Sequence, residues 1–208
     1  MNSELIKNGI LRTEFENGPA LQAVLNEKRG SGELRVIHLL FRRDFEGVGD
    51  TSISADLLGD LDVPVVSTVT GKVDGDALIA ALSSHLCFSE ADASFDFRTL
   101  ALSIDFGGFP NRPRIVAPTE LLSNGLINGP LGQGDAVSIA DRVVSTIAER
   151  APMAIKATLE SVRNLSLKGS EEGFEKELEL FAGLFETNDM RLGTKAFLAK
   201  EKPSFKGN

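Results

Sequence analysis

The chain has 208 residues, of which 42% are hydrophobic, so it can bury one sizeable core. Its formal net charge of -8 and pI near 4.9 exclude an extended basic face, and nucleic-acid binding is not expected. The apolar runs are too short to cross a bilayer, and a single cysteine, Cys87, excludes an intrachain disulfide. These features predict one cytoplasmic domain that does not bind membranes.

The first half of the chain predicts buried strands separated by a helix and a long loop. Residues 10–15 form an apolar run typical of a strand, and Pro19 opens a helix. Two β-branched runs, 35–41 and 63–69, are typical of strands that are buried on both faces of a parallel sheet. The segment 44–60 between them, rich in Gly, Asp and Ser, predicts a loop.

A glycine-rich turn follows the second of these strands. Gly71 and Gly75 make the turn, and the alanine-rich helix after it is predicted to be capped by Asp74 or Asp76. A turn of this kind presents backbone N–H groups at a helix N-terminus, where an oxyanion can bind. The alternative is a tight turn that needs glycine only for its backbone angles.

The last third of the chain predicts helices. Gly134 and Asp135 open the first, Pro152 begins the second, and Ser170 caps the third. The third helix carries four large apolar side chains on one face, which predicts either core packing or a subunit interface. These side chains are Phe174, Leu178, Phe181 and Phe185.

The two histidines and the cysteine do not form a recognisable catalytic or metal-binding pattern. His38 lies within an apolar strand and is predicted to be a core residue, and His85 is predicted to interact with the dipole at the end of a helix. Cys87 stands between two apolar residues, which predicts a buried, inert thiol.

Three stretches of the chain resemble a known family. Residues 64–97 (PVVSTVTGKVDGDALIAALSSHLCFSEADASFDF) resemble the core of the crotonase (enoyl-CoA hydratase/isomerase) superfamily, in which a Pro-Val strand, an Asn-Gly turn, a Gly-Gly-Gly helix start and an A-S-E-x-A-x-F-G strand follow in that order. Residues 196–207 (AFLAKEKPSFKG) are similar to the family's closing motif, and FEGVGD at 45–50 stands where the family has F-S-A-G-A-D. The resemblance covers most of residues 35–208.

The resemblance implies an α/β fold with a crotonase-like spiral of β-β-α units over residues 1–132 and a helical C-terminal trimerisation subdomain over 133–208. It further implies an acyl-CoA or related thioester as substrate or ligand, a role in fatty acid metabolism, no separate cofactor or metal, and homo-oligomers that are trimers or hexamers. Relative to the family the chain lacks one strand and most of a helix before residue 35, and a helical insert after Asp50. These differences predict altered CoA binding.

The family's functional positions carry over only in part. Its two oxyanion-hole N–H groups fall at Gly49 and Asp76, and the carboxylate of Asp76 would oppose the negative charge that such a hole stabilises. Its two catalytic glutamates fall at Ile79 and Thr99, neither of which can carry a proton at neutral pH. The standard hydration of an enoyl thioester is therefore not expected.

Two carboxylates remain as candidate proton carriers. Asp105 aligns approximately with an aspartate that carries a proton in the dienoyl-CoA isomerase branch of the family, and Asp96 is a weaker candidate that replaces a glycine. Asp105 could instead cap the turn formed by the glycines that follow it. Three hypotheses stay open at this point: an acyl-CoA isomerase, a catalytically inactive thioester-binding protein, and a structural subunit.

Overall fold

The computed structural model describes residues 3–6, 8–28, 33–42, 58, 61–99, 114–132 and 135–208. A six-stranded sheet runs through the core in the order β1-β2-β3-β4-β6-β9. Its strands are β1 (Ser3–Ile6), β2 (Ile10–Glu14), β3 (Val36–Phe41), β4 (Val65–Val69), β6 (Leu86–Glu90) and β9 (Gly129–Leu131). β1 is antiparallel to β2, and all the other neighbours are parallel. The predicted parallel strands are thereby confirmed.

A second sheet of three short strands lies beside the first, in the order β5-β7-β8. These strands are β5 (Lys72–Asp74), β7 (Ser94–Asp96) and β8 (Ile115–Val116). Helix α2 (Gly75–Leu82) begins directly after β5, and a 3-10 helix (Phe97–Thr99) follows β7. The predicted glycine turn therefore contains a strand, which sequence reasoning missed because three residues are too few to show a period of two.

Helices cover both faces of the main sheet. Alternate strand residues point to opposite faces, so Ile37 joins a cluster with helix α1 (Gly18–Lys28) and α2, whereas Val36 packs with helix α4 (Ala136–Ala148). All six residues of β3 and all five of β4 are buried. Covering both faces explains why these strands read as continuous apolar runs.

The C-terminal helices leave much apolar surface uncovered. They are α5 (Pro152–Lys168), α6 (Ser170–Leu184) and α7 (Asn188–Ala199); a short helix, α3 (Pro118–Ser123), precedes β9. The four apolar side chains predicted to share one face of α6 are 53% to 68% exposed, so of the two predicted alternatives, packing in the core of this chain is excluded. Gly169, not Ser170, occupies the N-cap position of α6, because the turn there needs a positive φ of 83°.

The last residues of the chain are fastened to α7. Asp189, which is 3% exposed, accepts hydrogen bonds from the backbone N–H groups of Lys206 (2.8 Å) and Gly207 (2.7 Å). Arg35, just before β3, donates to the backbone carbonyls of Ala148 (3.1 Å) and Phe205 (2.6 Å). The motif that resembles the family's closing segment is thereby fixed against the α/β core.

Candidate active site

Three of the predicted site positions lie near the ends of β5 and β7: Asp96 ends β7, and Asp76 and Ile79 lie in helix α2, which follows β5. These two strands run parallel, and Asp74 at the end of β5 pairs in register with Asp96 at the end of β7. Helix α2, which begins after β5, contacts both β7 and the 3-10 helix. The edge of a sheet at the carboxyl ends of its parallel strands is a common place for a ligand to bind. We name this region the strand-end site.

Asp76 and Ile79 lie in α2, and Thr99 ends the 3-10 helix. Asp76 is in the first turn of α2 and is 5% exposed. Ile79, which the sequence resemblance aligns with the family's first glutamate, is completely buried and packs in the larger apolar cluster. Gly49 and Asp105 lie outside the residues that the structure describes.

The start of α2 agrees with the sequence prediction at its glycine and differs from it at the predicted cap. Gly75 has a φ of 47°, a left-handed conformation that favours glycine, so the backbone argument for a glycine at this position is supported. Asp74 occupies the N-cap position, but its side chain makes no hydrogen bond to the helix. The predicted side-chain capping by Asp74 is therefore wrong, because the carboxylate bonds to Lys72 instead.

That lysine, Lys72, lies between two carboxylates. Its Nζ donates to Oδ2 of Asp74 at 2.9 Å and lies 3.2 Å from Oδ2 of Asp96. Hydrogen bonds to Asp74 and then to Asp96 raise the pKa of Lys72, so the ammonium stays charged. The other oxygen of Asp74, Oδ1, is shielded from solvent and has no hydrogen-bond partner. Sequence reasoning overlooked this pair, although residues i and i+2 of a strand share a face.

Asp96 is the second described carboxylate of the strand-end site, and it is 1% exposed. Arg98 donates to it from Nε (2.8 Å), from Nη2 (2.6 Å) and from its backbone N–H (3.1 Å). The side-chain bonds from Arg98 hold the pKa of Asp96 well below its usual range, and Lys72 adds to the effect. A carboxylate this firmly ionised is a poor proton acceptor, which counts against the predicted catalytic role for Asp96.

The two histidines have structural partners. His38 is 1% exposed, its Nε2 lies 2.9 Å from Oγ1 of Thr68, and its Nδ1 lies 3.0 Å from Oδ1 of Asp141 in α4. Burial, more than any other cause, lowers the pKa of His38 to about 4, so the ring is neutral at pH 7. The core role predicted for His38 is consistent with these contacts.

His85 lies beyond the end of α2 rather than in its last turn. Its Nδ1 accepts a hydrogen bond from the backbone N–H of Val65 at 3.0 Å, and burial lowers its pKa. A neutral ring that accepts from a strand does not act as a cation at a helix end, so the predicted dipole role is wrong.

Cys87 is buried in β6, and burial raises the pKa of its thiol to about 12. The buried position that the sequence predicts for Cys87 is therefore confirmed, and the raised pKa is consistent with an inert thiol. Among the described residues, no three His, Cys, Asp or Glu side chains are grouped as a metal site would require. The same part of the chain contains no helix that is long and apolar enough to span a membrane.

No family model matches the chain. Over 162 residues it is 26% identical to a probable enoyl-CoA hydratase from Bacillus subtilis (strain 168), covering 69% of this chain and 63% of that protein. Over 169 residues it is 27% identical to a carnitinyl-CoA dehydratase from Salmonella paratyphi A, covering 71% of this chain and 65% of that protein. The matched part thus spans less than two thirds of the length of either curated relative.

The fold gives a closer match. The crystal structure of an enoyl-CoA hydratase from Bacillus anthracis superimposes with a TM-score of 0.82 at 17% sequence identity, and the alignment covers 100% of this chain and 99% of that one. The mixed sheet, the helices on both its faces and the helical C-terminal third are the architecture that the sequence predicts. The chain therefore has the fold of that enoyl-CoA hydratase, and the predicted resemblance to the crotonase (enoyl-CoA hydratase/isomerase) superfamily is confirmed.

Proposed function

We propose that the chain binds an acyl-CoA thioester at the strand-end site and moves a proton on its acyl chain, as an isomerase rather than a hydratase. The sequence relatives are named as enzymes that act on CoA thioesters. The preference for isomerisation over hydration rests on Ile79, which the resemblance aligns with the family's first glutamate and which is buried in the apolar core. Hydration needs a group that activates water, whereas isomerisation needs only a group that carries a proton.

The N-terminus of α2 supports binding of the thioester oxygen. The backbone N–H of Asp76 lies in the first turn, where N–H groups point out of the helix end, and Gly49 would supply the second donor. Because the Asp76 carboxylate opposes a developing negative charge, Asp76→Gly is expected to increase turnover. Asp105 is the proton carrier that the sequence predicts, and Asp105→Asn tests this assignment: loss of isomerisation with an unchanged fold would support it.

Titration calorimetry with CoA and several acyl-CoAs tests binding, and two assays test the reaction. We expect essentially no hydration of crotonyl-CoA, since a positioned acid/base contributes roughly 10²- to 10⁴-fold in rate. We expect measurable conversion of a 3-enoyl-CoA to its 2-enoyl isomer. Hydration at a normal enzymatic rate would contradict the assignment of Ile79 and Thr99 to the glutamate positions.

A second candidate function is that of an inactive binding or structural subunit. The exposed apolar surface of the C-terminal helices favours it. Binding of acyl-CoA without any proton transfer would indicate an inactive binding protein. Absence of binding together with assembly onto an active relative would indicate a structural subunit.

We further propose that the chain forms a trimer or a hexamer in the cytoplasm. Phe174, Leu178, Phe181 and Phe185 are all more than half exposed on one face of α6, and a large exposed apolar face indicates an interaction site. Sedimentation at micromolar concentration tests this. Phe181→Ser is expected to shift the protein towards monomer, whereas Glu175→Ser, an exposed polar position on the same helix, should not.

A further inference from the structure

We propose that Asp74 is an additional catalytic residue, whose Oδ1 atom takes a proton from C2 of the bound acyl thioester and returns it. The assignment rests on the proposed function and identifies, within the described residues, the carboxylate that works on the substrate. Sequence comparison with the family does not point to Asp74, since none of the carried-over functional positions falls there.

The position of Asp74 in the chain places it close to Asp76, the predicted oxyanion-hole position. It ends β5, and α2 begins with the next residue, so only one residue separates it from Asp76 at the oxyanion-hole position. Two residues of chain reach at most about 7 Å. In a thioester C2 is bonded to the carbonyl carbon, so the base that removes its proton must lie near the group that binds the carbonyl oxygen.

The two oxygens of the Asp74 carboxylate have different surroundings. Oδ2 accepts a hydrogen bond from Lys72 at 2.9 Å, which fixes the orientation of the group. Oδ1 is shielded from solvent and accepts no hydrogen bond, and the whole residue is only 9% exposed. Buried polar atoms are nearly always hydrogen-bonded, so an unpartnered oxygen in this location indicates a place for an incoming donor or proton.

The neighbouring carboxylate lacks this freedom. Both oxygens of Asp96 are occupied by Arg98, and Lys72 lies beside one of them. Asp96 thus serves to hold Lys72 in place, and Lys72 in turn holds Asp74. Of these two carboxylates, Asp74 is the one with an oxygen available for chemistry.

The step is balanced without any further reactant. Oδ1 takes the proton from C2, and the electron pair of the C–H bond moves into the thioester to give an enolate with its charge on the carbonyl oxygen. If Oδ1 returns the proton to C2, the original thioester is restored. If it delivers the proton to C4 of a 3-enoyl chain, the product is the 2-enoyl isomer. In D₂O the carboxylic acid exchanges its proton with solvent, so deuterium enters the substrate at C2.

The test measures deuterium incorporation at C2 of but-3-enoyl-CoA in D₂O by NMR. Binding of the same compound is measured separately by calorimetry. Asp74→Asn keeps the shape of the side chain but cannot accept the proton, and we expect a loss of at least about 100-fold in exchange rate with binding unchanged. Asp74→Ser is a second variant in case Asp74→Asn does not fold. Each variant that folds is expected to show the same loss in exchange rate. Asp62→Asn, which changes an exposed carboxylate elsewhere, is expected to keep the wild-type rate.

The possible results separate this assignment from the proposed function. If a folded Asp74 variant exchanges within tenfold of the wild type, or if the wild type binds but-3-enoyl-CoA without exchanging deuterium, Asp74 is not the base, although thioester binding stands. If Asp105→Asn alone removes the exchange, the base is Asp105 and the assignment is overturned. If the wild type does not bind acyl-CoA, the proposed function itself is refuted.

Discussion

His38 is expected to make the stability of the fold depend on pH in a window below neutrality. Its ring is 1% exposed and lies between Thr68 on β4 and Asp141 on α4. Asp141 can only accept, so Nδ1 carries the proton of the neutral ring, and Nε2 accepts from the Thr68 hydroxyl. A second proton would have to be bound at Nε2, inside the sheet, at the expense of that hydrogen bond.

The size of the effect follows from the two pKa values. Burial lowers the pKa of His38 from 6.5 to about 4 in the folded chain, although the Asp141 charge opposes the change. Between these values the unfolded chain binds more protons than the folded chain, so the free energy of unfolding falls as the pH falls. The contribution is fully present above pH 6.5 and is lost by about pH 4, and the difference of about 2.5 pH units corresponds to roughly 3 kcal/mol.

Urea unfolding at several pH values between 7 and 4 measures this dependence, with His38→Gln as the perturbation. Glutamine can still bond to Thr68 but does not titrate, so we expect the variant to lose roughly 3 kcal/mol less than the wild type across the window. The sequence has only two histidines, so His85→Gln leaves a single imidazole whose midpoint NMR can follow. An NMR midpoint above 6, or equal pH dependence in wild type and His38→Gln, would refute the reasoning.

Three further predictions test other parts of the structure. Cys87 should not react with a thiol reagent in the native protein over hours at pH 8 but should react fully after unfolding, because its pKa is raised to about 12 and the side chain is buried. Gly75→Ala should lower the free energy of unfolding, measured by thermal unfolding, by about 1 to 2 kcal/mol because Gly75 has a φ of 47°. Gly183→Ala should raise it by up to about 1 kcal/mol, because an added Cβ in α6 meets open space. Asp189→Ala should lower the free energy of unfolding by roughly 3 kcal/mol, because the backbone N–H groups of Lys206 and Gly207 lose their acceptor. Asp62→Ala, in an exposed ion pair, should lower it by less than about 1 kcal/mol. Equal losses in the two variants would contradict the role given to Asp189.

The sequence predicted the parts of the fold that depend on local pattern. β3 and β4 were recognisable because burial on both faces demands apolar residues throughout, and α5 because Pro152 suits a helix start. β5 was not predicted because it has only three residues and depends on pairing with β7, which lies about twenty residues further along the chain. The exposed face of α6 could not be assigned from its periodicity, since core and subunit interface require the same apolar spacing.

The site was harder to predict because its contacts depend on which strands become neighbours. Asp74 looked like a helix cap, since an acid directly before a helix usually caps it. Only the parallel pairing of β5 with β7 brings Asp96 alongside and places Lys72 between the two carboxylates. The alignment of Ile79 and Thr99 with the family's glutamates stays a prediction, made from their spacing relative to the glycine turn.

The pattern of substitutions at the strand-end site is chemically coherent. Asp96 stands where the family motif has glycine, and Arg98 stands where it has the proline before the second glutamate. A lone carboxylate that is 1% exposed would be costly, but Arg98 and Lys72 both contact it. A site that had merely lost its function would be expected to contain unmatched polar groups at random. Here every charge among these three residues is paired, and the unpartnered atom is an oxygen of Asp74, next to the start of α2. This arrangement favours a rebuilt site, in which one oriented carboxylate replaces the two glutamates, over a site that has decayed.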